Sequence, residues 1–366
     1  MTTVLPQTDP SSTDLPETGR RARIDESWIR ALPKAEVHVH LEGNFTLVDL
    51  LDLAKQAGEP LPGPAATLFD VTTHHDSDGA GDLGAFLRFL DWECGLIRTP
   101  EQAARHAYTF AARQTASGIR YTDAIINPTH WSAWEGRVPK LFDALAAGLD
   151  EAEQDGLAPV RLCYSLLRQQ SATEAREAAD WLAAARPRHV VALSIDGDER
   201  AAGRVSARFA EAFAIARDAG LHRTVHAGES SGPEGVRDAL DLLHAERIDH
   251  GIRSVEDRAL VRRLADEQIP VGVCPRSNIV LGLYDDWAQH PLLALRDAGV
   301  NVTINTDDPA PLGTTLEADW AVCAEAFALG HDDLAGFAAA SIAASFADDD
   351  TKRRLTAELA ATLAAH

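Results

Sequence analysis

The chain has 366 residues, 45% of them hydrophobic, which is enough for the large core of an α/β barrel built as one domain. Its formal net charge of -22 at pH 7 argues against a nucleic-acid partner, because phosphates are bound by basic surfaces. The four cysteines are far apart and include no C-x-x-C pair, which argues against a disulfide framework or a cysteine zinc site.

The polar N-terminal stretch, residues 1–25, is rich in Pro, Thr, Ser and charged residues. It lacks the apolar run of a signal peptide, and we interpret it as a flexible tail. No other run is long and apolar enough to span a membrane. Because no repeat or linker interrupts residues 26–366, we expect them to form a single domain of a cytoplasmic protein.

Eight short runs with β-strand character alternate with Ala-rich helical patterns along this domain. Several runs are almost continuously apolar, as expected for strands buried on both faces. The alternation predicts a (β/α)8 TIM barrel with extra helices, and a doubly wound open sheet is the alternative. The predicted strands are Ala35–His40, Arg120–Ile126, Arg161–Leu167, His189–Ile195, Arg223–His226, Arg247–Asp249, Pro270–Cys274 and Asn301–Asn305. The clearest helical patterns are Ala103–Ser117, Ser206–Ala219, Val236–His244 and Val255–Asp266.

The segment Gly58–Gly84, which follows the first strand and its helix, is the least regular part of the domain. It is rich in Gly, Pro, Asp and His. We expect it to form a lid over the barrel mouth, with an ordinary surface loop as the alternative. We interpret His74 and His75, which it contains, as exposed loop residues rather than ligands.

Polar side chains cluster where the predicted strands end. In a barrel the carboxyl ends of all strands meet at one mouth, where active sites form. Residues distant in sequence therefore become neighbours there. They are His38 and His40 on strand one, His226 and Glu229 at strand five, Asp249 and His250 at strand six, and Asp307 and Asp308 at strand eight.

Positions i and i+2 of a strand face the same side, so His38 and His40 can both point into the barrel. Two separate core histidines would be the ordinary interpretation of this pair alone. With His226 and Asp307 at other strand ends, three imidazoles and one carboxylate form a ligand set that suits zinc. Two-metal barrel hydrolases often use a modified lysine at a strand end. None of the four lysines lies there, so we expect a single ion.

Glu229 and His250 accompany these predicted ligands. A bound zinc ion lowers the pKa of water to about 7, and His250 could accept that proton or orient the hydroxide. Glu229 follows His226 by three residues, beyond a Gly turn. A carboxyl in an apolar mouth tends to keep its proton, which suits a general acid. An acid in the first turn of the following helix is the alternative for Glu229.

Six motifs occur in order between Lys34 and Gly313: HVHLEGN from His38, SIDGDE from Ser194, HAGE from His226, DHG from Asp249, CPRSN from Cys274 and NTDDP from Asn305. Each motif is weak alone, but six in this order with barrel spacing are specific. Together they resemble the adenosine deaminase family of the amidohydrolase superfamily over nearly the whole chain. The resemblance implies a zinc-dependent hydrolase that replaces an exocyclic amino group of a purine-type ring by oxygen.

The resemblance also implies roles for individual residues. Glu229 would protonate ring N1 while hydroxide attacks C6, and His250 would assist the hydroxide. Asp308 would contact N7, and the backbone N–H of Gly197 would contact N3. The implied ligands of the one zinc ion are His38, His40, His226 and Asp307, and the implied substrate-binding residues are Gly197, Asp308, His40 and Glu42.

Three positions depart from the adenosine deaminase pattern. Glu42 stands where adenosine deaminases usually have the Asp that reaches the ribose 5′-hydroxyl. A Glu at this position resembles the pattern of adenine deaminases and 6-aminodeoxyfutalosine deaminases instead. Ile125 stands where an Arg is common. Arg276 replaces an uncharged residue and could pair with an anionic substrate group, although we expect a structural salt bridge. In the loop after the second strand, Trp131 and Trp134 could stack on the substrate or simply pack the loop.

The sequence therefore predicts zinc-dependent hydrolytic deamination of a 6-aminopurine nucleoside, taking adenosine or deoxyadenosine to inosine or deoxyinosine plus ammonia. Adenine deaminase and 6-aminodeoxyfutalosine deaminase are the alternatives. More distant alternatives are another metal-dependent hydrolase on the same barrel and a non-catalytic relative, which would be expected to lack Glu229 or a ligand. The expected partner is a small aminopurine, with no nucleic acid or membrane, and a homo-oligomer is compatible with the sequence.

Overall fold

The computed structural model of the protein describes residues 24–70, 83–204 and 206–365. In these residues eight parallel strands form one sheet, in which each strand pairs with the next in chain order. All eight predicted strands are confirmed, and each observed end lies within one residue of its predicted position. The strands are β1 (Lys34–His40), β2 (Ile119–Ile126), β3 (Val160–Leu167), β4 (Val190–Asp196), β5 (His222–Ala227), β6 (Arg247–His250), β7 (Val271–Val273) and β8 (Val302–Ile304).

The sheet closes into a barrel between β8 and β1. The backbone N–H of His40 donates to the Asp307 carbonyl over 2.7 Å, where β1 also forms a parallel bridge. Lower on the seam, the Asn305 side chain replaces a backbone acceptor. Its Oδ1 accepts from the N–H groups of Val37 and His38 at 3.0 and 3.2 Å. The predicted (β/α)8 TIM barrel is thereby confirmed, with Asp307 as part of the seam.

Helices follow the strands, and four of them correspond to the predicted helical patterns. The start of α4 is fixed by a capping box that the sequence encodes. The Thr99 side chain accepts from the Gln102 N–H, and the Gln102 side-chain oxygen accepts from the Thr99 N–H. The α-helices are α1 (Glu26–Ala31), α2 (Leu47–Ala57), α3 (Leu83–Gly95), α4 (Pro100–Ala116), α5 (Val138–Gln154), α6 (Ala172–Ala185), α7 (Glu199–Ala202), α8 (Ser206–Asp218), α9 (Pro233–Leu242), α10 (Arg258–Asp266), α11 (Pro275–Val280), α12 (Leu292–Asp297), α13 (Leu316–Ala326), α14 (His331–Ala344) and α15 (Asp349–Ala364).

The predicted helix Val255–Asp266 begins too early. A 3-10 helix covers Ile252–Glu256, and α10 starts only at Arg258. The cause is Asp257, whose extended backbone lets its carboxylate accept from two N–H groups of the next turn at 2.9 and 3.2 Å. Such a side chain defines the helix start.

A buried ionic group lies inside the barrel beneath the mouth. Arg247 on β6 donates to Asp123 on β2 at 2.7 Å and lies 3.4 Å from Asp249. All three side chains are fully buried. Charges at this depth are tolerated only when they are paired, as these are.

Several predictions fall on residues outside the described ranges. They are most of the tail, His74, His75 and the middle of the expected lid. Of that segment, the structure describes a short 3-10 helix at Ala65–Thr67 and the start of α3. No helix in the described ranges is long and apolar enough to cross a membrane. The flexible tail, the single domain, the lid and the cytoplasmic location remain predictions.

Candidate metal centre and active site

Four predicted ligands from three strand ends meet at the mouth of the barrel. The Nε2 atom of His226 lies 3.1 Å from the Nε2 atoms of both His38 and His40. The Asp307 Oδ1 lies 3.2 Å from His38 Nε2 and 3.4 Å from His40 Nε2. The four side chains are buried, and their nearest atoms form a group compact enough to share one ion.

The hydrogen bonds and spacing of these side chains fit a metal site. His38 Nδ1 donates to the Gly272 carbonyl at 2.9 Å, so that its Nε2 faces the other ligands and can bind an ion once it has lost its proton. Burial and the neighbouring histidines hold the pKa of His226 well below its usual range, so it is neutral, as a ligand must be. A tetrahedral ion with bonds of 2.0–2.1 Å would place its ligand atoms about 3.3 Å apart. The observed separations of 3.1 to 3.4 Å fit that spacing.

The carboxylates at this site stabilise a positive charge beside them. Burial opposes protonation of His38, but Asp249 and Asp307 nevertheless raise its pKa to about 9. Ser277 Oγ donates to the second oxygen of Asp307 at 2.7 Å and fixes that carboxylate. Asp307 also has left-handed backbone, with φ 68°, which costs energy in a residue other than glycine. A divalent cation at the ligands would take the place of the His38 proton and supply that positive charge.

A second possible set shares two of these ligands and adds His250 and Cys274. The Cys274 sulfur lies 3.4 Å from Nδ1 of His38, the nitrogen already bonded to a backbone carbonyl. Burial raises the pKa of the Cys274 thiol well above its ordinary value, so it keeps its proton. The set of three imidazoles and Asp307 is therefore the better metal site.

Glu229 and His250 face each other beside the ligands. Their carboxylate and Nε2 atoms are 3.6 Å apart, and both residues are buried. Burial, with Asp307 and Glu199 nearby, raises the pKa of Glu229 to about 8, so its carboxyl is largely protonated at neutral pH. Burial and the nearby His38 hold the pKa of His250 well below its usual range, which keeps it neutral. The pair thus offers one proton donor and one acceptor.

The loop that carries Glu229 is anchored by the carboxylate of Glu199. Its two oxygens accept from four consecutive backbone N–H groups, residues 228–231, at 2.8 to 3.1 Å. Arg168 lies 3.7 Å from Glu199, and it also donates to the Gly197 carbonyl at 3.1 Å and to the His226 carbonyl. The acid, one ligand and the Gly197 turn are therefore held by one network.

A pocket opens above these groups. Its empty volume, including the open mouth, is about 470 Å³, within the range of small-molecule sites. One wall consists of apolar side chains from α3, and the floor consists of the metal and proton-transfer groups. The lining residues are His40, Phe86, Leu87, Leu90, His130, Asp196, Gly197, His226, Glu229, His250, Leu281, Asp307 and Asp308.

Known proteins resemble this chain in sequence and in fold. The family model described as adenosine deaminase matches residues 33–362. An adenine deaminase from Sinorhizobium fredii is 35% identical over 328 residues, which cover 90% of this chain and 98% of that protein. The chain belongs to the adenosine deaminase family. It is a hydrolytic deaminase acting on C–N bonds.

Two solved structures superpose closely on the barrel. One is an adenine deaminase from Arthrobacter aurescens, with a TM-score of 0.84, 31% identity, and coverage of 91% of this chain and 100% of that one. The other is an amidohydrolase from Burkholderia ambifaria with bound zinc, with a TM-score of 0.84, 30% identity, and coverage of 96% of this chain and 98% of that one.

The predicted substrate-binding residues do not all line the pocket. Gly197, with φ 96°, and Asp308 both line the pocket. A Cβ on Gly43 would lie 2.2 Å from Asp308 Oδ1, so only glycine lets this turn approach the Asp308 side chain. Glu42 does not line the pocket. Its Oε1 accepts from the Asn127 N–H at 2.8 Å and from Trp131 Nε1 at 2.7 Å.

The other departures from the adenosine deaminase pattern also have structural roles. Arg276 donates to the buried carboxylate of Asp319, which is the salt bridge expected from the sequence. Ile125 packs in a small apolar cluster with Phe346. Trp131 is fully buried and holds Glu42, so it packs the loop, as one of its two interpretations predicted.

Several residues at the site were not found by sequence reasoning. Asp196 and Glu199 stand inside the SIDGDE motif, and Ser277 stands inside CPRSN, so the motifs contained the signal. Arg168 has no such signal, because a single Arg at the end of β3 resembles any surface Arg. Only the folded chain shows that it is buried against two carbonyls and Glu199.

Proposed function

We propose that this member of the adenosine deaminase family hydrolyses adenine at its amino group. The reaction uses one zinc ion, and the ligands of that ion are His38, His40, His226 and Asp307. The observation that carries the proposal is the convergence of these ligands with Glu229 and His250 at the floor of one pocket. The bound zinc of the Burkholderia amidohydrolase supports the choice of metal. The products are hypoxanthine and ammonia.

The protonation states at the floor suit addition of water to the ring. A divalent ion at the four ligands, when bound, makes water a nucleophile near neutral pH. His250, held neutral, accepts the proton that water loses as its oxygen bonds to C6. Glu229, which is protonated, donates to ring N1, so that the added negative charge is neutralised.

The same two residues complete the reaction. The Glu229 carboxylate takes back the proton of the new C6 hydroxyl as the C6 carbonyl forms. His250 gives its proton to the amino group as the C6–N bond breaks, and ammonia leaves. Water is consumed, and both side chains return to their starting states.

Two further ring nitrogens, N7 and N3, would find partners in the pocket. Burial, with Asp307 and Glu42 nearby, raises the pKa of Asp308 well above its ordinary value, so its carboxyl can donate to N7. Gly197 lines the pocket, and its backbone N–H would donate to N3. Both contacts are those that the resemblance to the adenosine deaminase family implies for Asp308 and Gly197.

Two observations favour adenine over the nucleoside that the sequence predicted first. The curated relatives at about 35% identity are named adenine deaminases. In addition, Glu42 is bonded to Asn127 and Trp131 and does not line the pocket, so it is not positioned to bind a ribose hydroxyl. Adenosine is the second candidate, because the HAGESSGPE and NTDDP segments resemble adenosine deaminases.

A substrate screen with ammonia detection tests the proposal. The zinc-loaded protein is incubated with adenine, adenosine, 2′-deoxyadenosine and 6-aminodeoxyfutalosine. We expect kcat/KM for adenine to exceed that for adenosine by about 10²-fold or more. A preference for adenosine would restore the nucleoside assignment, and no ammonia from any of the four would overturn the purine assignment.

A further inference from the structure

The carboxylate of Asp196 lines the pocket without a part in the chemistry described above. It ends β4 and is 5% exposed, with its side chain at the pocket wall. It belongs neither to the four ligands nor to the pair that moves protons. An acceptor at this place must face whichever part of the substrate lies away from the metal centre.

The Asn127 side chain holds this carboxylate in place. The Asn127 Oδ1 accepts from the Thr129 N–H at 3.1 Å and from the Thr129 hydroxyl at 2.7 Å, which fixes the orientation of the amide. The amide NH2 therefore points to Asp196 and donates to its Oδ1 at 2.5 Å. The backbone N–H of Asn127 is in turn bound by Glu42. Glu42 and Asn127, which follow β1 and β2, thus position Asp196 at the end of β4 as a hydrogen-bond acceptor.

The place of Asp196 around the mouth shows what it faces. The ligands come from the ends of β1, β5 and β8, and Asp307 joins β8 to β1. β6 carries His250, whereas the part of the mouth formed by β2, β3 and β4 supplies neither a ligand nor a member of the proton-transfer pair. A ring with its reacting carbon at the ligands would extend towards that part, where Asp196 and Gly197 line the pocket.

We propose that Asp196 selects the free base by accepting a hydrogen bond from the ring N–H of adenine, most directly N9–H. Adenine has one ring N–H, and its other ring nitrogens are acceptors that a carboxylate would repel. Gly197, the next residue, has a backbone N–H for an acceptor such as N3. Adjacent acceptor and donor groups on the protein therefore match the adjacent N9–H and N3 of the base. This inference rests on the proposed function and names its specificity determinant.

A substituent on N9 removes the donor that Asp196 needs. Binding would then remove water from the buried carboxylate without giving it a hydrogen-bond donor in return. The unpaired carboxylate costs binding free energy, so an N9-substituted purine binds poorly. Glu42 acts on this selection indirectly, since it holds Asn127 and not the substrate. The departure at Glu42 and the acceptor at Asp196 are thus parts of one arrangement.

The test compares adenine, 9-methyladenine and adenosine in the zinc-loaded wild type and in Asp196→Ala. We expect the wild type to prefer adenine over 9-methyladenine by about 10²-fold or more in kcat/KM. In Asp196→Ala the adenine rate should fall while the 9-methyladenine rate changes little, so that the ratio falls at least about tenfold. Asp196→Asn keeps the shape and should give an intermediate ratio if the alanine variant folds poorly.

Asp198→Asn is the matched control. Asp198 is also a carboxylate after β4, but it caps α7, a role that Asn fills equally well, and it does not line the pocket. This control should keep the wild-type ratio.

The outcomes separate this inference from the proposed function. An unchanged adenine to 9-methyladenine ratio in Asp196→Ala, with a wild type that prefers adenine, overturns the role of Asp196 alone. A larger loss on adenosine than on adenine would assign Asp196 to the ribose and also overturn it. A wild type that does not deaminate adenine overturns both the proposed function and this inference.

Discussion

At the scale of single residues, the site depends on burial that keeps the Glu229 carboxyl protonated and the His250 imidazole deprotonated. Glu229 and His250 are 3.6 Å apart, yet burial favours the neutral form of each. For a carboxyl the neutral form is the acid, and for an imidazole it is the base. One physical effect therefore produces both members of the acid–base pair, without an ion pair between them.

Replacing Glu229 by Gln tests its role as the proton donor. The amide has the same shape but cannot donate an acidic proton to N1, so turnover should fall by about 10² to 10⁴-fold. Zinc content should stay at one ion per chain, because Glu229 is not among the proposed ligands. Steady-state kinetics and elemental analysis of the same preparation check both statements. Full activity would show that the proton comes from elsewhere.

The pH dependence of kcat/KM follows from the same pair. Glu229 must be protonated to act, and its pKa is raised to about 8 by burial, with Asp307 and Glu199 adding to the effect. Activity should therefore fall about tenfold per unit as pH rises beyond about 8. His250 must be neutral, and burial keeps its pKa well below the usual value, so the acidic limb should lie far below pH 6.5. A basic limb near pH 5 would mean that Glu229 is ionised.

The metal ligands are tested by removing the one that bridges the two other imidazoles. His226→Ala deletes the Nε2 atom that lies 3.1 Å from both His38 and His40. The variant should lose most bound zinc, as measured by elemental analysis after dialysis. His244→Ala, at an exposed histidine, is the control and should keep its metal. A fully loaded His226→Ala protein would show that the ligand set is wrong.

At the scale of elements, the strands were more predictable than the segments that connect them. Each strand is a short apolar run buried by the barrel, so composition alone marks it. The start of α10 depends on one capping side chain, Asp257, and it was placed three residues too early. Glu42 shows a stronger limit: its direction is set by Trp131, 89 residues away in sequence, which no local pattern indicates.

The helix α3 carries a buried acid that should make stability depend on pH. Neither carboxylate oxygen of Glu93 has a hydrogen-bond partner among the described residues. Burial, with Asp308 and Glu42 nearby, raises its pKa well above the ordinary 4.5. The folded state thus binds a proton that the unfolded state releases above pH 4.5, so stability falls as pH rises.

Glu93→Gln removes this linkage. The variant should be more stable than wild type by about 1–3 kcal/mol at pH 7, and this advantage should disappear near pH 4, where both states of the wild type are protonated. Urea unfolding at the two pH values measures the difference. Glu135→Gln, at an exposed position, should show no such pH-dependent gain. A gain of the same size at both pH values would contradict the linkage.

At the scale of the whole molecule, the site could be predicted because the fold concentrates it. Once eight parallel strands are expected, His38, His226 and Asp307 must converge, however far apart they lie in sequence. What could not be predicted are the supports, such as Arg168 on two carbonyls and Glu199 on four amides. Their partners are backbone carbonyl and N–H groups. Every residue has a backbone carbonyl, so the sequence does not indicate which of these groups a side chain will bind.

The position of the ligands in the barrel predicts that metal stabilises the fold as a whole. His40 and Asp307 lie on opposite sides of the seam, where the bonds between β1 and β8 are few, and His226 adds β5 from across the mouth. An ion bound only by the folded state stabilises it by about 4 kcal/mol at 1,000 times its Kd. Chelation should therefore lower Tm, and added zinc should restore it. His226→Ala should show a low Tm that neither treatment changes, whereas an equal response in that variant would place the stabilising ion elsewhere.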